Sequence, residues 1–83
     1  MSYSLTWHPK ALKFLEALTK EVSKRVLEKF DELQNYPIRY VEHYEGEYYK
    51  LRIGDYRALL EINFEQKIIK VRYLDKRGRI YKK

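Results

Sequence analysis

The 83 residues, of which 36% are Asp, Glu, Lys or Arg, leave room for one compact domain, and we expect residues 1–83 to form it. The net charge is +6, and the absence of Cys excludes disulfides, thiolate metal sites and cysteine nucleophiles. Because no apolar run approaches the roughly 20 residues that span a bilayer, and residues 1–4 lack signal-peptide features, we expect a soluble cytoplasmic protein with no membrane partner.

A strand and two helices are predicted in the first part of the chain. Residues 2–7 alternate between large apolar and small hydroxyl side chains, which is the period of a half-buried strand. Pro9 suits the first position of a helix, and apolar residues then recur at helical spacing to residue 18. Thr19 is placed to cap a second helix over residues 20–34, which Pro37 prevents from continuing.

Three strands are predicted in the second part of the chain. Residues 38–46 show no clear period and are expected to lead into a turn at Gly46. A two-residue period then covers residues 47–53, 56–63 and 67–74, with hairpin turns at Gly54 and near Gln66. One face of these strands is apolar, and the set comprises Tyr49, Leu51, Ile53, Tyr56, Ala58, Leu60, Ile62, Ile69, Val71 and Tyr73.

The helix pair needs this apolar face in order to bury its own stripe. We therefore expect an α+β fold in which a small antiparallel sheet of about four strands carries a two-helix hairpin on one face, in the order β-α-α-β-β-β. The opposite sheet face would then be uncovered.

The uncovered face is predicted to be cationic. All of the excess charge lies in residues 47–83, which contain eleven basic and five acidic side chains, whereas residues 1–46 contain seven of each. The predicted outer set is Tyr48, Lys50, Arg52, Arg57, Lys70 and Arg72, with Leu74 on the same side. Cations interleaved with aromatic rings are typical of surfaces that bind single-stranded RNA, although a basic surplus can also be ordinary solubilising surface.

Two segments carry a family resemblance. Residues 49–57 read Y-K-L-R-I-G-D-Y-R, and residues 76–81 read K-R-G-R-I-Y. Together with Pro9-Lys10-Ala11 at the start of the first helix, they resemble the RelE family of bacterial and archaeal toxins, within the RelE/ParE superfamily. The resemblance covers nearly the whole chain and implies a RelE-like toxin of a type II toxin–antitoxin system.

The resemblance also implies an activity and partners. A RelE-like toxin is expected to be a ribosome-dependent endoribonuclease that cuts mRNA in the A site by 2′-hydroxyl attack and so inhibits translation. It would need no metal and no other cofactor. Its expected partners are the ribosome, with 16S rRNA contacts, the mRNA, and a RelB-like antitoxin that neutralises it in a hetero-oligomer.

The same resemblance assigns roles to residues. Lys50 resembles a strand lysine near the scissile phosphate, and Arg57 resembles the arginine that stabilises the transition-state phosphate. Arg77 resembles the arginine near the leaving group, and Tyr81 the tyrosine that stacks on or orients the substrate. The wider RNA-binding set comprises Tyr48, Arg52, Lys70, Arg72, Lys76 and Arg79.

The general base is left open by two departures from the family pattern. Tyr48 stands where many members have a second lysine, and Lys76 stands where the last motif often has His. Lys50 is one candidate base, because neighbouring cations disfavour its protonated form. Tyr48 and Tyr81 are the competing candidates.

Two other functions are compatible with the same surface. ParE-type relatives share the architecture and act on DNA gyrase, and a third possibility is a non-catalytic RNA- or ribosome-binding module. Cleavage by the 2′-hydroxyl would leave a cyclic or 3′-phosphate end, whereas binding would leave RNA intact. The only histidines, His8 and His43, have no metal-ligand spacing and are interpreted as structural or surface residues.

Overall fold

The computed structural model describes residues 2–76, and this part of the chain forms five strands and three helices. In chain order these are β1 (Ser4–Trp7), α1 (Pro9–Glu16), α2 (Lys20–Asn35), α3 (Pro37–Tyr40), β2 (Val41–Glu45), β3 (Tyr48–Ile53), β4 (Tyr56–Asn63) and β5 (Ile68–Lys76). The strands form one sheet in the order β1-β5-β4-β3-β2. Within residues 2–76, no helix has the length and apolar character that crossing a membrane requires.

The α+β class is confirmed, but the expected sheet of about four antiparallel strands is wrong in two respects. The sheet has a fifth strand, β2, and it is mixed, because β1 runs parallel to β5 while the other pairs are antiparallel. β2 escaped prediction since it is an edge strand with four of its five residues exposed. Its pairing with β3 also shifts register between His43 and Glu45, which interrupts any two-residue period.

The helix boundaries follow the local signals in the sequence. α1 begins at Pro9, and Nδ1 of His8 accepts a hydrogen bond from the Lys10 backbone N–H at 3.2 Å. α2 is capped by Thr19, whose Oγ1 accepts from the Val22 N–H at 3.3 Å. The short helix α3, which was not predicted, starts at Pro37 and joins α2 to the edge strand.

The core lies between α1 and α2 and one face of the sheet. Its buried residues are Ala11, Leu15, Val26, Phe30, Leu33, Leu51, Ile53, Ala58, Leu60, Ile62, Ile69, Val71 and Leu74. The Trp7 ring packs on Phe30 with 5.0 Å between centroids, and Phe14 packs on Tyr56 at 6.1 Å. The predicted inward residues Leu51, Ile53, Ala58, Leu60, Ile62, Ile69 and Val71 are buried, while Tyr49 and Tyr56, which were also predicted to face inward, are half-buried.

The predicted faces of Tyr73 and Leu74 are wrong, because β5 contains a bulge. Leu60 pairs with Val71 and Leu59 pairs with Tyr73, so Arg72 is an extra residue in β5. The alternation is therefore reversed beyond Arg72. Leu74 is 4% exposed in the core, whereas Tyr73 is 47% exposed on the other side of the sheet.

Candidate nucleic-acid interface

The sheet face opposite α1 and α2, here called the outer face, brings together the predicted strand cations. Across β3, β4 and β5 it presents Tyr48, Lys50, Arg52, Arg57, Leu59, Glu61, Lys70, Arg72 and Tyr73. All of these side chains are exposed or half-buried. The alternation of the strands thus gathers residues from three segments of the chain on one surface, as the sequence predicted.

Lys50, Arg52 and Arg57 meet at one edge of the outer face. Arg52 lies directly across from Arg57 in the β3–β4 pair, and Lys50 lies across from Leu59. With Glu42 and α3, the three cations line a depression of about 220 Å³. Like charges directly opposite each other on adjacent strands disfavour the fold. Placing two guanidinium groups there is typical of a site that receives an anion, and the planar guanidinium group suits phosphate.

The depression also contains a carboxylate that the sequence reasoning did not select. Glu42 of β2 lies directly across from Lys50, and its Oε1 is 3.9 Å from the Lys50 Nζ. The Lys50 Nζ also lies 5.3 Å from the centroid of the Tyr44 ring. Because β2 was not predicted, nothing in the sequence alone placed Glu42 or Tyr44 beside Lys50.

The rest of the outer face alternates in charge more than predicted. Oε1 of Glu61 lies 3.6 Å from Nη1 of Arg72, and Glu61 is also directly across from Lys70. Asp75 lies directly across from Arg57. Ion pairs at such partly exposed positions are each worth at most about 1 kcal/mol. Lys70 and Arg72 therefore each lie beside a carboxylate and do not form a cluster of cations like that of Lys50, Arg52 and Arg57.

Tyr73 is the outer-face aromatic residue that the sequence reasoning missed. It lies across from Leu59, which in turn lies across from Lys50, so the three residues form a row across the strands. Nearly half of the Tyr73 side chain is exposed, whereas Tyr48 is half-buried. An exposed ring beside cations is a platform on which an unstacked base can lie. The two-residue pattern of the sequence does not reveal the bulge that turns Tyr73 outward.

The remaining predicted site residues lie at the end of β5 or beyond it. Lys76 is the last residue of β5 and pairs with Tyr56, so by register it belongs to the helix side of the sheet. Arg77, Arg79 and Tyr81 lie outside the described residues. The structure therefore brings Lys50 and Arg57 together, and Arg77 and Tyr81 retain only their predicted roles.

The histidines have local structural contacts. His8 caps α1, and Nε2 of His43 lies 3.0 Å from the Gly46 carbonyl oxygen while its ring packs on Tyr49. Within residues 2–76, His, Asp and Glu side chains form no group of three or more that could hold a metal ion.

Comparison with known proteins places the chain in a family. The model of the ParE toxin of the type II toxin–antitoxin system parDE matches residues 5–81. A chain of the archaeal RelE–RelB complex from Pyrococcus horikoshii OT3 is 32% identical, over 95% of this chain and 99% of that one, with a TM-score of 0.80. The chain belongs to the RelE family of type II toxins. No curated protein matches it significantly.

More distant RelE structures have the same fold. A chain of the RelBE2 toxin–antitoxin complex from Mycobacterium tuberculosis is 23% identical, covers 93% of this RelE-family chain and 100% of its own length, and has a TM-score of 0.82. A chain of the intact RelBE complex from E. coli is 24% identical over 94% of this chain and 100% of that one, with a TM-score of 0.77. The five-stranded mixed sheet with its helices is thus the RelE fold.

Proposed function

We propose that this toxin is a ribosome-dependent endoribonuclease that cuts mRNA in the ribosomal A site and thereby inhibits translation. The observation that carries the proposal is the depression at the edge of the outer face, where Lys50, Arg52 and Arg57 meet. Similarity to RelE toxins at 32% identity supports the same activity class.

The chemistry that these groups can perform is attack by the 2′-hydroxyl on the neighbouring phosphate. The phosphorane that forms carries additional negative charge, which Arg57 and Lys50 are placed to stabilise. Since two cations and no metal suffice for this task, we propose a metal-independent reaction. Arg77 is proposed to assist the departing 5′-oxygen, and Tyr81 to orient the substrate.

RNA contacts away from the scissile phosphate are proposed for the remainder of the basic set. Tyr48 and Arg52 flank Lys50 on β3, and Lys70 and Arg72 extend the cationic surface onto β5. Lys76, the last residue of β5, and Arg79 are proposed as further phosphate contacts. The mRNA and 16S rRNA of the ribosome are the proposed ligands, because both present phosphates in irregular, partly unstacked segments.

A RelB-like antitoxin is the proposed protein partner. The Pyrococcus horikoshii relative was solved as a RelE–RelB complex, and RelB also accompanies the toxin chains from Mycobacterium tuberculosis and E. coli. The excess positive charge of this chain favours an acidic partner that covers the cations as it binds. We therefore propose a toxin–antitoxin hetero-oligomer in which cleavage is suppressed.

The test is mRNA cleavage on purified ribosomes with wild-type toxin and with Lys50→Ala, Arg57→Ala and Arg77→Ala. We expect cuts inside translated codons that leave 2′,3′-cyclic or 3′-phosphate ends, and a loss of roughly 10²-fold or more for each variant. Lys13→Ala is the matched control, because Lys13 is an exposed cation on α1, away from the outer face. Wild-type-like cleavage by all three variants would refute the proposed site.

Inhibition of DNA gyrase is the alternative function that we propose, because the family model of the ParE toxin matches residues 5–81. Supercoiling of relaxed plasmid by purified gyrase distinguishes the two. A gyrase-directed toxin would block supercoiling and leave ribosome-bound mRNA intact, whereas the proposed nuclease would do the reverse. Binding to ribosomes with neither effect would indicate a non-catalytic module.

A further inference from the structure

The proposed reaction needs a group that accepts the proton of the 2′-hydroxyl, and the depression contains one carboxylate among its described lining residues. That lining consists of Arg39 and Tyr40 of α3, Val41 and Glu42 of β2, Lys50 and Arg52 of β3, and Arg57 of β4. We propose that Glu42 is the general base. This inference rests on the proposed nuclease function and assigns a step within it.

The charge states of the side-chain types favour Glu42. At neutral pH a carboxyl side chain is ordinarily ionised and ready to accept a proton, whereas amines, guanidinium groups and phenols ordinarily hold theirs. Among residues 2–76, the lining therefore offers several proton-bearing groups for the phosphate and one carboxylate for the hydroxyl. Tyr48, which stands where many RelE-like sequences have a second lysine, is not among the described residues that line the depression.

The register of the strands places the base next to the phosphate-binding groups. Glu42 and Lys50 are directly across from each other, with 3.9 Å between Oε1 and Nζ, so a carboxylate and an ammonium group lie side by side in the depression. A phosphate held by Lys50 and Arg57 would thus carry its neighbouring 2′-hydroxyl to the Glu42 side of the depression. The Glu42 side chain is 78% exposed, so the hydroxyl can approach it.

The 2′-hydroxyl passes its proton to the Glu42 carboxylate as the 2′-oxygen forms a bond to phosphorus. The bond from phosphorus to the 5′-oxygen breaks, and its electron pair leaves with that oxygen, which takes up a proton from water. The products are a 2′,3′-cyclic phosphate and a 5′-hydroxyl.

The experiment is single-turnover cleavage of ribosome-bound mRNA between pH 6 and 8, with toxin in excess, alongside measured affinity for the programmed ribosome. Glu42→Gln is compared with Glu42→Asp, which keeps a carboxylate, and with Glu45→Gln, which removes an exposed carboxylate from the same strand. Because Glu42 is exposed, Glu42→Gln is expected to fold normally, and circular dichroism checks this.

A general base predicts a specific combination of results. Glu42→Gln should slow cleavage about 10²-fold or more while binding stays equal or tightens, since a negative charge is lost from an RNA-binding surface. Glu42→Asp should recover part of the rate, and Glu45→Gln should match the wild type. The wild-type rate should stay level over this pH range, because carboxyl side chains ordinarily titrate below it.

Two results would overturn the assignment. One is cleavage by Glu42→Gln within about threefold of the wild type, and the other is a wild-type rate that rises about tenfold per pH unit, as expected for a base that is mostly protonated over this range. Failure of the proposed function itself looks different. In that case the wild type leaves the mRNA intact at every pH, which refutes the nuclease and the general base together.

Discussion

The bulge at Arg72 makes neighbouring residues of β5 face opposite sides, and this predicts opposite consequences for Tyr73→Ala and Leu74→Ala. Leu74 is 4% exposed in the core, and removal of a buried Leu side chain costs about 2–5 kcal/mol through lost burial and the cavity left behind. Tyr73 is 47% exposed, so we expect its truncation to cost less than about 1 kcal/mol.

Urea and thermal unfolding of the two variants measure this difference. For a domain of this size, about 1 kcal/mol corresponds to roughly 4–8 °C, so a loss of about 3 kcal/mol in Leu74→Ala lowers the Tm by roughly 12–24 °C. Tyr73→Ala should remain within a few degrees of the wild type but bind single-stranded RNA more weakly, since a stacked base is worth about 1–3 kcal/mol. The reverse order of stability would show that strict alternation continues to the end of β5 and would refute the bulge.

Three further predictions concern a cap, a turn and the terminal cations. Thr19→Ala should destabilise the fold by about 1 kcal/mol through loss of its bond to the Val22 N–H, measured by urea unfolding; Thr19→Ser should retain most of it. Gly54→Ala should cost about 1–2 kcal/mol because its φ is +56°, although an added Cβ meets nothing within 4 Å; an unchanged Tm would contradict the left-handed turn. Replacing the four cations of residues 77–83 by Gln should lower the slope of log affinity against log salt for single-stranded RNA by up to about 3, and an unchanged slope would mean that they contact no phosphate.

The sequence alone was sufficient to predict helices and strands where the hydrophobic period and the capping or turn residues indicated the same boundaries. Pro9 and Thr19 located the helix starts, and the apolar alternation from Leu51 to Val71 located the buried face, because burial imposes those patterns directly. Lys50 and Arg57 could be placed together for the same reason. Each residue is next to an inward-facing residue in its strand and so faces outward, and the tight turn at Gly54 places the two strands side by side.

What the sequence could not provide depends on irregular pairing. β2 buries too little to show a period, so its contribution of Glu42 to the depression could not be foreseen. The extra residue in β5 reverses the faces of Tyr73 and Leu74 without altering composition. The parallel pairing of β1 with β5 joins the two ends of the described chain, and this contact between distant residues has no local signal.

The distribution of charge predicts that different cations attract RNA from a distance and contact it at the site, whereas the sequence pattern placed both groups in one basic set. Residues 1–76 contain 14 basic and 12 acidic side chains, so four of the six excess positive charges belong to residues 77–83. On the outer face, carboxylates such as Glu42 and Glu61 lie beside the cations and partly cancel their electric field. Salt screens the remaining positive field beyond about 8–10 Å. Long-range attraction of RNA is therefore expected to depend mainly on the terminal cations. In the proposed mechanism the mixed cluster around Lys50 acts at contact distance, where the carboxylate accepts a proton and the cations bind phosphate.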